Sequence, residues 1–316
     1  MKKEIGGYLE LDSYSLPMLH ENALALNSGR GCLEYLIGQK NIRKIALPHF
    51  VCDVVTDTCR KMGVELSFYR IGRDFLPVEP KLCEDTYLYL VNFYGQLSTQ
   101  QLLSFKEKYP LLIVDNAQAY FSPAISGVDT LYTCRKFFGV ADGGFLYTDA
   151  PKKELPPDES HGRMGFVLGR YERPAGEFYA EASKNNDLYS EIPVMAMSRL
   201  TKNLLHAIDY EQVKKQRSEN FALLHRELGA LNGLDVKPTE AAYAYPLLLE
   251  KGSELRRILA EKKIFVPTLW PNVLREMPEG SLEHYFAKNI LHLPCDQRYG
   301  AEDMLYISEV IKSCIS

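Results

Sequence analysis

Along the first half of the chain, short apolar runs alternate with stretches of helical spacing. CLEYLIG (32–38), KIALPHF (44–50), VVTDTCRKMG (54–63), VELSFYRI (64–71), TYLYLVNFYG (86–95), TQQLLSFKEKY (99–109) and LLIVDNAQAY (111–120) follow one another in this way. Strands separated by helices predict crossover units and a mostly parallel sheet. Within the last of these runs, Leu111 to Val114 shows no polar alternation, as expected of a central strand covered on both faces. The run ends at Asp115, so an acidic side chain emerges at a strand's carboxyl end, the edge at which open α/β sheets bind ligands. Tyr94 follows another apolar strand and is expected at the same edge.

Beyond Thr148 the pattern loosens into PKKELPPDESHGRMGFVLGRYERPAG, which reads as a surface excursion, a lid or a subunit contact. A helical stretch from about Arg199 to Leu231 then reads as a connector. After it come strand-like YAYPLLLE, a helix from Ser253 to Lys262, strand-like KIFVPTLW, HLPCDQ, and a terminal helix from about Ala301. The expected architecture is α/β: a large domain over residues 1–200 with a mostly parallel central sheet flanked by helices. Residues 201–316 supply the connector helix and a smaller C-terminal α/β domain.

Composition narrows the partners. A formal net charge of −4 generates no field to recruit nucleic acid or an anionic membrane surface. The opening MKKEIGGYLELDS has no apolar stretch after its lysines, and no later run reaches membrane-spanning length, so a cytoplasmic location is expected. The seven cysteines are scattered and never form C-x-x-C, which argues for reduced thiols and against a zinc knuckle; no metal is expected.

Four segments carry candidate chemistry: Ser28-Gly29-Arg30-Gly31, Asn92 to Gln96, Val114 to Gln118, and Thr133-Cys134-Arg135-Lys136 running on to Gly143-Gly144. A lysine that condenses with an aldehyde needs partial desolvation so that its amine is free near neutral pH, and Lys136 is followed by Phe137-Phe138-Gly139. Taken alone, Arg135-Lys136 also reads as a solvated basic pair, and Asp115 as a helix cap. A pyridine ring used as an electron sink needs a protonated nitrogen, which a carboxylate such as Asp115 stabilises. Gln118 is placed to donate to a phenolic oxygen on the same ring. Ser28-Gly29-Arg30-Gly31 precedes a helical pattern, where free N–H groups accept a phosphate and Arg30 adds charge; a plain Ser cap fits the same residues. Phe50 is a candidate to cover a planar ligand, or else core packing. The sequence contains no G-x-x-x-x-G-K-[ST], H-E-x-x-H or G-x-S-x-G motif.

Together these segments resemble the DegT/DnrJ-type family of sugar aminotransferases, which have the fold type I architecture of aspartate aminotransferase. Ser-Gly-Arg-Gly-Cys is similar to that family's Ser-Gly-Thr-Ala-Ala, Asn-Phe-Tyr-Gly-Gln to its His-Leu-Tyr-Gly-Gln, and Val-Asp-Asn-Ala-Gln-Ala to its Glu-Asp-Ala-Ala-Gln-Ala. Lys-Phe-Phe-Gly-Val-Ala-Asp-Gly-Gly resembles its Lys-Asn-Leu-x-x-Gly-Glu-Gly-Gly at matching length. The resemblance implies pyridoxal 5'-phosphate as cofactor, with Lys136 forming the internal aldimine and shuttling protons. It further implies that Asp115 pairs with the pyridinium, Gln118 touches the phenolic oxygen, Arg30 and Gly31 hold phosphate, and Phe50 stacks on the ring. Where the family has a phosphate-binding Ser five residues before its lysine, this chain has Leu131, which leaves Thr133 as the hydroxyl. Arg135 before the lysine is a departure, and Met197-Ser198-Arg199 stands where the family has Asn-Tyr-Arg.

The implied activity is amino transfer from an amino-acid donor to a keto acceptor of the nucleotide-linked sugar type, as in polysaccharide precursor synthesis, by a homodimer. The alternatives are a pyridoxal-phosphate lyase or dehydratase on the same scaffold and a binding protein without turnover.

Overall fold

The computed structural model describes residues 5–80 and 82–315; Met1–Glu4, the start of the segment read as lacking a leader, lie outside them. Among the described residues the chain runs β1 (Leu24–Leu26), α1 (Gly29–Lys40), β2 (Lys44–Pro48), α2 (Asp53–Lys61), β3 (Glu65–Ile71), β4 (Pro77–Val78), β5 (Thr86–Val91), α3 (Thr99–Lys108), β6 (Leu112–Asp115), β7 (Asp129–Thr133) and β8 (Gly144–Tyr147). It continues through α4 (Gly165–Glu172), α5 (Tyr179–Leu188), α6 (Arg199–Leu205), α7 (Tyr210–Leu228), β9 (Tyr245–Leu248), α8 (Gly252–Glu261), α9 (Val273–Glu276), α10 (Leu282–Asn289), β10 (Ile290–Leu293) and α11 (Ala301–Ile315).

The first eight strands form one sheet in the order β1-β8-β7-β6-β5-β2-β3-β4. β3, β2, β5, β6 and β7 are parallel, as the alternation of runs predicts, while β8 lies antiparallel between β7 and β1. The central β6, all four residues of which are buried, pairs Asp115 with Val91 of β5 on one side and Leu131 of β7 on the other. A strand buried on both faces has no use for polar alternation, which is why LLIV carries none. The order in which strands are added reverses at β2, with β3 on one flank and β5 on the other, and the parallel strands bring the carboxyl ends of β2, β5, β6 and β7 to one edge. Ligand sites of open α/β sheets form at such an edge.

Helix starts follow their cap chemistry. Ser28 Oγ accepts the Gly31 N–H at 2.9 Å to open α1, and Ser98 with Gln101 makes a reciprocal capping box on α3. The expected connector is two helices: α6 ends at Leu205, and Asp209, whose carboxylate accepts the Gln212 N–H at 3.0 Å, starts α7 anew. KIFVPTLW forms no strand, because Lys263 and Trp270 both take positive φ, 60° and 57°, and the segment runs as irregular backbone. β9 and β10 pair as a separate two-stranded sheet, and the apolar core beneath it is continuous with that of the large sheet.

Phe50 belongs to this shared core. It is fully buried, with ring centroids at 4.4 Å from Trp270, 5.5 Å from Phe93 and 6.0 Å from Phe286. Phe50→Ala is expected to lower unfolding free energy in urea by about 3–5 kcal/mol, the cost of an aromatic-sized hole in a packed core.

Candidate active site

A cavity of about 290 Å³ opens at the carboxyl edge of the sheet. Each wall has a local cause. β6 delivers Asp115 to its floor and β5 delivers Tyr89 beside it. The turn after β6 delivers Gln118, the end of β7 gives Thr133, and the loop beyond gives Arg135 and Lys136. The start of α1 closes one end with Ser28, Gly29 and Arg30, and Trp270 arrives from the far part of the chain.

Asp115 is the buried charge of the site. Its Oδ1 accepts the Ala117 N–H at 2.8 Å and its Oδ2 accepts the Tyr89 hydroxyl at 2.9 Å. Burial pushes the Asp115 carboxyl above its ordinary value, while the charge of Lys136 and these two donors pull the other way. A cation seated against Asp115 would add to that pull. Gln118 is buried and its Oε1 accepts the Tyr94 N–H at 3.0 Å, so its amide nitrogen is turned away from that bond.

Lys136 borders the cavity on its solvent side. The residue is exposed, so the desolvation expected from its aromatic neighbours is not found in the single chain. Its Nζ lies 5.5 Å from the Tyr243 ring centroid and takes part in no hydrogen bond or ion pair among the described residues. The backbone behind it is fixed: Phe137 C=O accepts from Gln297 Nε2 at 2.8 Å and from the buried Arg217 at 3.3 Å. The Lys136 side chain is thus unpartnered on an anchored backbone, open to an incoming group.

The α1 end is cationic. Arg30 is half-buried, and its Nη1 is sealed from solvent without a hydrogen-bond partner. Burial lowers the basicity of this guanidinium. The α1 start is pressed against β8 at Gly144, where a Cβ would stand 2.6 Å from the Ser28 carbonyl carbon and 2.8 Å from the Gly29 nitrogen. Gly144→Ala therefore should displace the first turn of α1 and lower thermal stability by about 1–3 kcal/mol, read by melting of the variant against wild type.

The structure brings together Asp115, Gln118, Thr133, Lys136 and Arg30 around one cavity. Two expected residues stand outside it. Phe50 does not reach the cavity, because the chain after β2 turns its ring into the core against Trp270; Val51 and Cys52 line the wall there instead. Gly31 is also set back, its N–H already spent on Ser28 Oγ, so the unpaired amides of the helix start are earlier ones. Tyr94 is fully buried and bonds His292 Nε2 through its hydroxyl at 2.8 Å rather than lining the cavity. Ser198, in the segment set against Asn-Tyr-Arg, caps α6 and binds the buried Asp142 through N–H and hydroxyl, both at 2.7 Å. Of the excursion's arginines, Arg163 pairs with Asp158 at 2.6 Å and Arg173 pairs with Glu177.

Tyr89, Asn186, Tyr189 and Trp270 line the cavity without a site role expected from the sequence, and Arg135, expected only as a departure beside the lysine, lines it too. Tyr89 carried a readable signal, since it lies two residues before Val91 on a strand that ends at the ligand edge. Tyr189 sits in a turn with no pattern to read, and Trp270 ends KIFVPTLW, whose strand-like pattern gives no hint of a site residue.

The strand order and flanking helices match the fold type I architecture. Among solved structures, DesV of S. venezuelae, in complex with a ketimine intermediate, is similar over 92% of this chain and 84% of its own, at 19% identity and a TM-score of 0.62. The sugar aminotransferase CalS13 of Micromonospora echinospora matches 92% of this chain and 87% of its own, at 16% identity and a TM-score of 0.61. Spr1654 of Streptococcus pneumoniae in its PMP form matches 93% and 88%, at 15% identity and a TM-score of 0.65. No protein-family model matches the chain, and no curated protein matches it by sequence. At such identities the shared property is the fold.

Proposed function

We propose that this chain is a pyridoxal-phosphate-dependent aminotransferase in which Lys136 carries the amine chemistry. The observation that carries the reading is the arrangement of one cavity: an unpaired lysine amine, a buried carboxylate on the floor, and an orphaned guanidinium nitrogen at the other end. Those groups fit an aldehyde, a ring nitrogen and a phosphate respectively. When bound, pyridoxal phosphate supplies an electron sink for carbanion chemistry at the amino carbon.

The residues divide the remaining work. Asp115, held by Ala117 and Tyr89, keeps a proton on a ring nitrogen by offering negative charge in a desolvated place. Gln118 is oriented by the Tyr94 N–H to offer its amide to the ring oxygen. Lys136 would hold the aldehyde through its Nζ and, when that amine is free, would serve as the proton carrier at the reacting carbon. Arg30 and the α1 start hold phosphate.

The division at about residue 200 into a large cofactor-binding part and a smaller C-terminal part is our reading of the two sheets. A homodimer accords with the exposed Ile5, Tyr8 and Leu9 side chains, each more than nine-tenths accessible. No helix among the described residues is long and apolar enough to cross a membrane. A cytoplasmic location and a nucleotide-linked keto-sugar acceptor complete the proposal; the neighbours CalS13 and DesV lend it support through fold. The test is a half-reaction: protein loaded with pyridoxal phosphate is mixed with a panel of amino donors, and conversion to the pyridoxamine form is followed by absorbance. Absence of conversion with every donor would overturn the reading.

A further inference from the structure

Resting on that cofactor assignment, we infer that Arg135 and Arg30 together form a two-arginine clamp for the phosphate, with Arg135 as the second guanidinium. Both side chains border the same cavity as the Ser28-Gly29 start of α1 and the Thr133 side chain. Gly29 ties these pieces together, since a Cβ there would stand 3.4 Å from Thr133 Cβ and 3.9 Å from its Oγ1.

Three observations set the two arginines apart from the others near the site. Neither is in an ion pair among the described residues, whereas Arg163 is neutralised by Asp158 at 2.6 Å. Arg30 keeps a buried, unpartnered Nη1. Arg135 is held from behind, its Nη2 donating to Asn186 Oδ1 at 2.8 Å and its guanidinium lying 4.8 Å from the Tyr189 ring centroid. Burial depresses the Arg135 guanidinium, and the like charges of Arg30 and Arg163 push the same way.

Two guanidiniums left uncompensated at one end of a cavity are costly unless a dianion belongs between them. A phosphate monoester carries up to two negative charges near neutral pH and accepts on three oxygens, which two planar forks match better than one. The charge balance then closes within a single chain. Arg135 adjoins Lys136, so the residue that grips the phosphate and the one that holds the aldehyde share one stretch of backbone, and the clamp also sets the position of the amine.

The test separates this from the cofactor assignment itself. Dissociation constants for pyridoxal phosphate and for phosphate-free pyridoxal are measured by visible absorbance for wild type, Arg135→Gln and Arg135→Lys. Arg135→Gln should weaken pyridoxal phosphate by about 10–100-fold, the worth of a charged hydrogen-bonded contact, while pyridoxal changes by less than about twofold. Arg135→Lys, which keeps the charge and loses the fork, should fall between. Unchanged pyridoxal binding also reports that the variant is folded with Lys136 in place. Phosphorus NMR of bound cofactor adds an independent reading: the wild-type signal should stay that of the dianion to well below the free value near about 6, and should titrate in Arg135→Gln. Equal losses for both ligands, or no loss for either, would overturn the clamp while leaving the cofactor assignment standing. Failure of the wild type to take up either aldehyde would overturn both.

Discussion

Lys136→Ala is expected to abolish the visible absorbance that wild-type protein acquires with pyridoxal phosphate and to slow amino transfer by about 10⁴-fold or more, the upper range for a positioned proton-transfer group that is also the nucleophile. Borohydride treatment followed by peptide mass should fix the cofactor to the segment containing Lys136 in wild type and to no peptide in the variant. The structural ground is specific. Lys136 Nζ has no ion-pair partner among the described residues, so its truncation breaks no ion pair, and the backbone beside it is held by Gln297 and Arg217 through Phe137 C=O. The variant should therefore fold and melt within about 0.5 kcal/mol of wild type, as surface changes do. An unchanged spectrum would remove Lys136 from the chemistry.

Asp115→Asn should cost about 10²–10³-fold in the half-reaction, comparable to deleting one preorganised charge-stabilising group, with a much smaller effect on cofactor uptake. Asparagine keeps an oxygen for the Ala117 N–H and nearly the same shape, so what disappears is the negative charge that would face a ring nitrogen. The cofactor-free protein should respond in the opposite sense. Burial raises the Asp115 carboxyl in the folded state above its unfolded value of 3.8. Between those two values the folded chain binds the extra proton, so the contribution of Asp115 to stability is complete below the unfolded value and is lost as pH rises through the folded one. Asp115→Asn should remove that downward slope from urea-unfolding curves of cofactor-free protein collected at successive pH. A wild-type slope in the variant, or full transfer activity, would count against the carboxylate's role.

Much of this was legible in the sequence, for physical reasons that differ by element. The parallel sheet followed from runs such as LLIV, because a doubly covered strand must be apolar throughout. Asp115, Thr133 and Lys136 share a cavity because parallel strands present their carboxyl ends at one edge. Phe50 was not legible. Only the direction of the chain after Pro48 decides whether Phe50 or Val51 and Cys52 face the cavity, and the ring that Phe50 meets, Trp270, lies some 220 residues away in sequence. Local apolar pattern also failed at KIFVPTLW, where two positive-φ residues break what composition presents as a strand. The break between α6 and α7 was written in Asp209, a cap residue inside a helical pattern that periodicity alone overrides.

The bond between Tyr94 and His292 has a further effect. His292 Nδ1 faces the Pro267 carbonyl at 3.2 Å, which can only accept, so that nitrogen bears the proton and Nε2 receives the Tyr94 hydroxyl. Burial, reinforced by Arg256, holds this imidazole down at about 3. Tyr94 in turn gives its N–H to Gln118. The fastening between the β9–β10 layer and the cavity floor is thus deaf to acidity across the working range of an enzyme. A bell in its pH profile should therefore not be traced to His292 or Tyr94.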